Sequence, residues 1–158
     1  VRTPALLAAL STAAAAVALT ATPAHAAPGH VDGTVTAAGV TCTWSNAVTS
    51  DTPPNTLTID HTTVSPSCST SGITVTLGAS PTVTFNDAAG TAFSPQVVVN
   101  VTAPIVGTCR YQVVNLTVYR VGTSRTYTGS NLTATELSPR RLLCPDSQTV
   151  DSVQFTFH

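Results

Sequence analysis

The run Thr108–Val121, TCRYQVVNLTVYRV, constrains the fold more than any other stretch of the chain. Cys109, Tyr111 and Val113 alternate with their neighbours, and Leu116 and Val118 resume the alternation one residue out of phase at Val114–Asn115. A period of two over such a length describes a strand with one face in a core. A slip of one residue is the sequence form of a β-bulge, because the extra residue re-aims every later side chain. The other apolar runs after residue 26 are shorter, so this segment is expected to be the central strand.

The same alternation recurs along the chain. Val40, Cys42 and Trp44 share one face of a run, as do Leu57 and Ile59, Ile73, Val75 and Leu77, and Val83 and Phe85. Gln96–Val101 is almost continuously apolar, and the chain closes on Val153, Phe155 and Phe157. From Ala27 onward there are 26 threonines and 18 valines. These β-branched side chains are stiff at χ1, poor in helices and well suited to a pleated surface. Gly, Pro, Asn and Ser separate the runs at strand-and-turn spacing. The expected class is all-β, an immunoglobulin-like β-sandwich with Greek-key connections and about seven to nine short antiparallel strands. Outward T-x-T pairs at Thr34/Thr36, Thr41/Thr43 and Thr74/Thr76 suit the solvent face of such sheets.

Residues 1–26 read as a secretory signal peptide: Arg2, an Ala-rich apolar centre over Leu7–Leu19, and Ala24-His25-Ala26 as the cleavage signal. Residues 27–158 are then a single secreted domain of ordinary size. No later stretch is long and apolar enough for a spanning helix, so no membrane anchor is expected and the product should be extracellular and monomeric. The absence of lysine, with abundant Ala, Thr, Pro and Val, fits a GC-rich bacterial coding bias. Beyond residue 26, five arginines stand against seven acids. That charge supplies no basic patch for phosphates, so nucleic acid is not an expected partner.

Four cysteines, Cys42, Cys68, Cys109 and Cys144, are expected to form two disulfides in an oxidising compartment. Their gaps of 26, 41 and 35 positions lack the close pairs of a metal site. Cys42–Cys68 with Cys109–Cys144 is the favoured pairing, since each bond staples neighbouring sequence; Cys42–Cys109 would instead bridge two sheets.

Chemistry is sparse. Asp60 and His61 are adjacent, which puts their side chains on opposite faces of a strand, and no serine sits in a G-x-S-x-G elbow. Glu136 is the sole glutamate, whereas a glycosidase needs two facing carboxylates. Asp87 stands almost alone in its turn, too few oxygens for calcium. No catalytic residue, metal site or cofactor is therefore expected. The leading reading is a non-enzymatic secreted module, either binding an extracellular protein or glycan or building the extracellular surface. Its candidate binding residues are Trp44, Tyr119, Tyr127, Arg120 and Arg125, with Tyr119 and Tyr127 the aromatics expected to be exposed. A small hydrolase is the remotest alternative.

From Cys109-Arg110-Tyr111 through Cys144 to Phe155-Thr156-Phe157, the C-terminal third resembles the secreted subtilisin-inhibitor family of bacteria. The resemblance implies a small exported protease inhibitor with two disulfides, and it places Arg110 and Tyr111 in the inhibitory segment beside the third cysteine. The N-terminal half carries no match, so inhibition stands as the alternative function.

Overall fold

The computed structural model describes residues 27–158; the expected signal peptide lies outside the described residues. Ten strands are present: β1 (Gly29–Ala37), β2 (Val40–Thr49), β3 (Leu57–Thr58), β4 (Ser67–Cys68), β5 (Thr74–Leu77), β6 (Thr82–Asn86), β7 (Thr91–Ala103), β8 (Gly107–Arg120), β9 (Thr126–Glu136) and β10 (Ser147–Phe157). All pairings are antiparallel. The β-branched composition thus does what stiff side chains dictate, and the only helical segment described is one 3₁₀ turn at His61–Thr63.

The strand order is β3-β6-β7-β8-β9-β10-β1-β2-β4, with β5 also paired to β7. Its two edges meet. Thr49 bridges Ile59, Ser50 N–H donates to the Thr58 carbonyl at 2.9 Å, and Asp60 N–H donates to Val48 at 2.8 Å. The sheet curls so that its halves face each other across a core, as in a sandwich, and β2 is then sewn to β3. Eight strands close in chain order, while β4 and β5 extend the walls of β2 and β7 at one end. The Greek-key, immunoglobulin-like order expected from the sequence is replaced by a meander. Periodicity fixes which face of a strand is buried but is blind to which strand lies beside it. Closure at the β2–β3 seam covers the edges that an open sheet would leave there.

The slip at Val114–Asn115 has a wider meaning than one bulge. Asn115 and Asn131 both adopt left-handed backbone, φ 52° and 53°, which asparagine tolerates better than other residues with a β-carbon. Inward side chains change phase at this level on four strands together: Ser94 to Val97, Val113 to Leu116, Tyr127 to Leu132, and Val150 to Val153. Because neighbours slip together at Pro95, Asn115, Asn131 and Asp151, the register is unshifted across β7, β8, β9 and β10, while the β8–β9 ladder itself opens between Gln112 and Tyr119. Pro95, which has no N–H to donate, sits where no ladder bond is needed. This crease divides the molecule into two ends.

One end is plugged by aromatic rings. Phe157 meets Phe85 edge-on at 5.1 Å and Tyr127 at 6.0 Å, and Phe85 meets Tyr127 at 5.5 Å. Tyr127 is completely buried. Such ring pairs add about 0.5–1.5 kcal/mol each beyond their buried area. Arg125 closes this end, donating to the Tyr127 hydroxyl at 3.3 Å and through Nη2 to Asp87 at 2.9 Å.

The other end carries both disulfides. Cys42–Cys68 joins facing positions of β2 and β4, and Cys109–Cys144 joins β8 to the loop before β10. These are the pairings that neighbouring sequence favoured. Here the wall is split as well: β4 pairs with β2 and β5 with β7, with no ladder between β4 and β5.

Candidate functional site

Within the closed sheet lies a cavity of about 480 Å³, whose wall runs from the disulfide end past the crease to Val83, Val118 and Phe157 beside the plug. Its origin is side-chain size. An eight-stranded barrel has an interior that side chains can just fill, or that can hold one small ligand. Phenylalanine and tyrosine fill the plugged end. Beyond the crease most inward positions are valines (Val35, Val40, Val75, Val97, Val99, Val101, Val113 and Val150), with Trp44, Leu77, Tyr111 and Leu132 the larger side chains among them, and they leave the lumen unfilled. The volume falls in the range of small-molecule sites, about 300–1,000 Å³.

Among the described residues no charged side chain lines this lumen, and its polar side chains are Thr76, Ser94, Tyr111 and Gln148, beside the indole N–H of Trp44. Ser94 already donates to the Gln96 carbonyl at 3.3 Å. Burial first, and then the facing Glu136 carboxylate, push the Tyr111 phenol above its ordinary range. Glu136 pairs opposite Tyr111 in the ladder and is 7% exposed. Its Oε1 accepts from the Arg141 backbone N–H at 2.9 Å, while Oε2 has no partner among the described residues. Ala38, Ile73, Val106 and Leu143 form the rim, and Leu143 is 60% exposed.

Trp44, the single tryptophan, points into the lumen from β2 and packs against Phe155 at 6.0 Å. Gly33, its partner across the sheet, makes room: a β-carbon there would stand 1.9 Å from the indole ring. The indole is thus a half-buried wall of the cavity, with its Nε1 unpartnered.

The other candidates from sequence do not gather around it. Tyr127, expected to be exposed, is buried in the plug. Its place on the inward face follows from the Asn131 phase change, which alternation within Arg125–Thr128 could not reveal. Tyr119 is 62% exposed on the outer wall. Arg120 and Arg125 both bind Asp87, the residue weighed for calcium, and the hydrogen bond from Arg125, with the charges of Arg125 and Arg120, holds that carboxyl below its ordinary range. Among the described residues, no group of three His, Cys, Asp or Glu could hold a metal ion.

Arg110 and Tyr111 lie within the ladder, with Asn100 and Val99 beside them on β7 and Glu136 opposite Tyr111 on β9. A protruding inhibitory loop at that position is not formed, and Tyr111 is 5% exposed. His61 Nδ1 reaches Ser80 Oγ at 2.9 Å, but Asp60 is engaged with Thr62 N–H and Oγ1 at 3.0 and 2.7 Å. The pair therefore lacks an orienting carboxylate. The residues that sequence reasoning missed are the lumen valines, each of which reads as ordinary core.

The chain matches no protein-family model, no curated protein and no solved structure. Its two intramolecular disulfides fit an extracellular protein.

Proposed function

We propose that this protein is a non-enzymatic, extracellular binding module that takes one neutral, largely apolar small molecule into its lumen. The observation that carries this reading is a cavity of about 480 Å³ with no charged side chain on its wall. Transfer of apolar surface from water into such a site contributes about 25 cal/mol per Å². An ionised ligand would find no counter-charge facing the cavity, and burial of an unpaired charge is strongly unfavourable. Glycans fit this wall poorly for the same reason, since four polar side chains cannot replace a shell of lost water contacts. Tyr111 and the indole N–H of Trp44 are the groups that would orient a single hydroxyl or carbonyl on the ligand.

The test uses the only tryptophan as reporter. Titration with N-phenyl-1-naphthylamine, a neutral apolar probe, should give saturable one-to-one binding with energy transfer from Trp44. Val99→Phe should abolish that signal by filling the lumen. Linear, non-saturating uptake, or binding untouched by Val99→Phe, would place the probe elsewhere and sink the reading.

A further inference from the structure

Two loops stand at the mouth of the lumen, and both present bare aliphatic side chains. The β7–β8 turn carries Ile105, 98% exposed; the β9–β10 loop carries Leu142, 100% exposed, and Leu143, 60% exposed. They are neighbours: a β-carbon on Gly107 would lie 3.8 Å from the Arg141 guanidinium, Leu137 N–H donates to the Arg110 carbonyl at 2.8 Å, and Cys109–Cys144 ties the second loop to β8. Scattered exposed leucines need no explanation. Three on adjacent loops around one opening are a patch.

Ile105 is also held there at a cost. Its φ is +73°, and the Val106 N–H donates to the Pro104 carbonyl at 2.8 Å, which together define a γ-turn of the strained hand. Positive φ in a β-branched residue is a genuine outlier, where glycine or asparagine would sit without strain.

Charge is distributed to match. Arg110, Arg140 and Arg141 surround the mouth, and among the described residues neither Arg110 nor Arg141 forms an ion pair. Arg140 pairs with Asp146. Asp32, Asp51, Asp60 and Asp87 belong to the plugged end, whereas the acids of the mouth are Glu136, which is buried, and the Asp146 that Arg140 holds. A ring of aliphatic tips flanked by arginines, on a face turned away from most of the acids, is the pattern of interfacial membrane contact.

We propose that the mouth docks on an anionic phospholipid bilayer, Ile105, Leu142 and Leu143 entering the headgroup boundary while Arg110 and Arg141 meet lipid phosphates. The docking rests on the lumen reading for its purpose: an apolar ligand passes between bilayer and cavity without crossing water.

Flotation with vesicles of phosphatidylglycerol and phosphatidylcholine tests the docking apart from the lumen. The protein should float with the mixed vesicles, at least tenfold less with pure phosphatidylcholine, and less as salt rises. Ile105→Gly/Leu142→Ser and, separately, Arg110→Gln/Arg141→Gln should each lower flotation at least tenfold. Neither pair lines the lumen, so probe binding read through Trp44 should persist in both and show that they are folded. Absence of flotation, or flotation unchanged in both variants, overturns the proposal. So does concentration-dependent dimerisation lost in Ile105→Gly/Leu142→Ser without vesicle binding, which would make a second copy the occupant. Loss of probe binding in the unaltered protein, with flotation intact, would instead remove the lumen reading and leave the docking surface.

Discussion

The plugged end and the open end share the strands β7, β8, β9, β10, β1 and β2, yet they have opposite interiors. Below the crease, Phe85, Tyr127 and Phe157 meet across the lumen and an Arg125–Asp87 pair covers them. Above it, valines line a cavity and pack around Cys109, Tyr111 and Ala134, and two disulfides tie the strands. Backbone closure sets only the diameter, so the side chains of a few inward positions decide whether a barrel segment is a core or a container. The open half gives up packing and relies on covalent staples.

The largest effect should come from the plug. Phe157→Ala should cost about 3–5 kcal/mol in urea unfolding, the usual range for an aromatic truncation in a packed core. Val99→Ala, truncated into existing space, should cost a small fraction of that. Equal losses at the two sites would mean the ends are packed alike, and the contrast would fail. Next in size is the staple: Cys109→Ala/Cys144→Ala should lose about 3–4 kcal/mol by the loop-entropy argument. Hydrogen exchange should place the accompanying increase in opening at the mouth, with the plug still protected.

A smaller effect is set by pH. Hydrogen bonds and nearby cations lower the carboxyls of Asp32, Asp60 and Asp87 below the ordinary aspartate value; for Asp87 the leading cause is the bond from Arg125. A lowered folded-state value means that the unfolded chain binds protons more readily. The stabilisation is therefore complete above about pH 4 and is lost as pH falls further. Thermal melts at pH 7 and pH 3 should show that decline, and Asp87→Asn should flatten it. The smallest change in stability is expected for Val99→Phe. Adding bulk to a filled core costs about 1–3 kcal/mol, so a shift within about 0.5 kcal/mol, measured in urea, would sharpen the claim that this position faces open space.

Much of this molecule is legible in its sequence. Antiparallel strands with one buried face follow from β-branched alternation, and Leu57, Ile59, Val83, Val153 and Phe157 are inward where that alternation places them. The slip at Asn115 was visible too, but its neighbours were not. Pro95, Asn131 and Asp151 each look like an isolated irregularity, and only their alignment across four strands makes a crease. Tyr127 shows the consequence, since a phase change several residues away put it in the plug.

The chain by itself determined that it would form paired strands with two cystine links and almost no ionisable chemistry, because side-chain stiffness and polarity act locally. Only the tertiary structure decided that the sheet closes on itself, and that valines and phenylalanines segregate to opposite ends of one lumen. Closure depends on the two ends of the described chain meeting, as Val31 does with Phe157, and on the seam between Thr49 and Ile59. A cavity is the space that distant side chains fail to fill, and no local pattern records it.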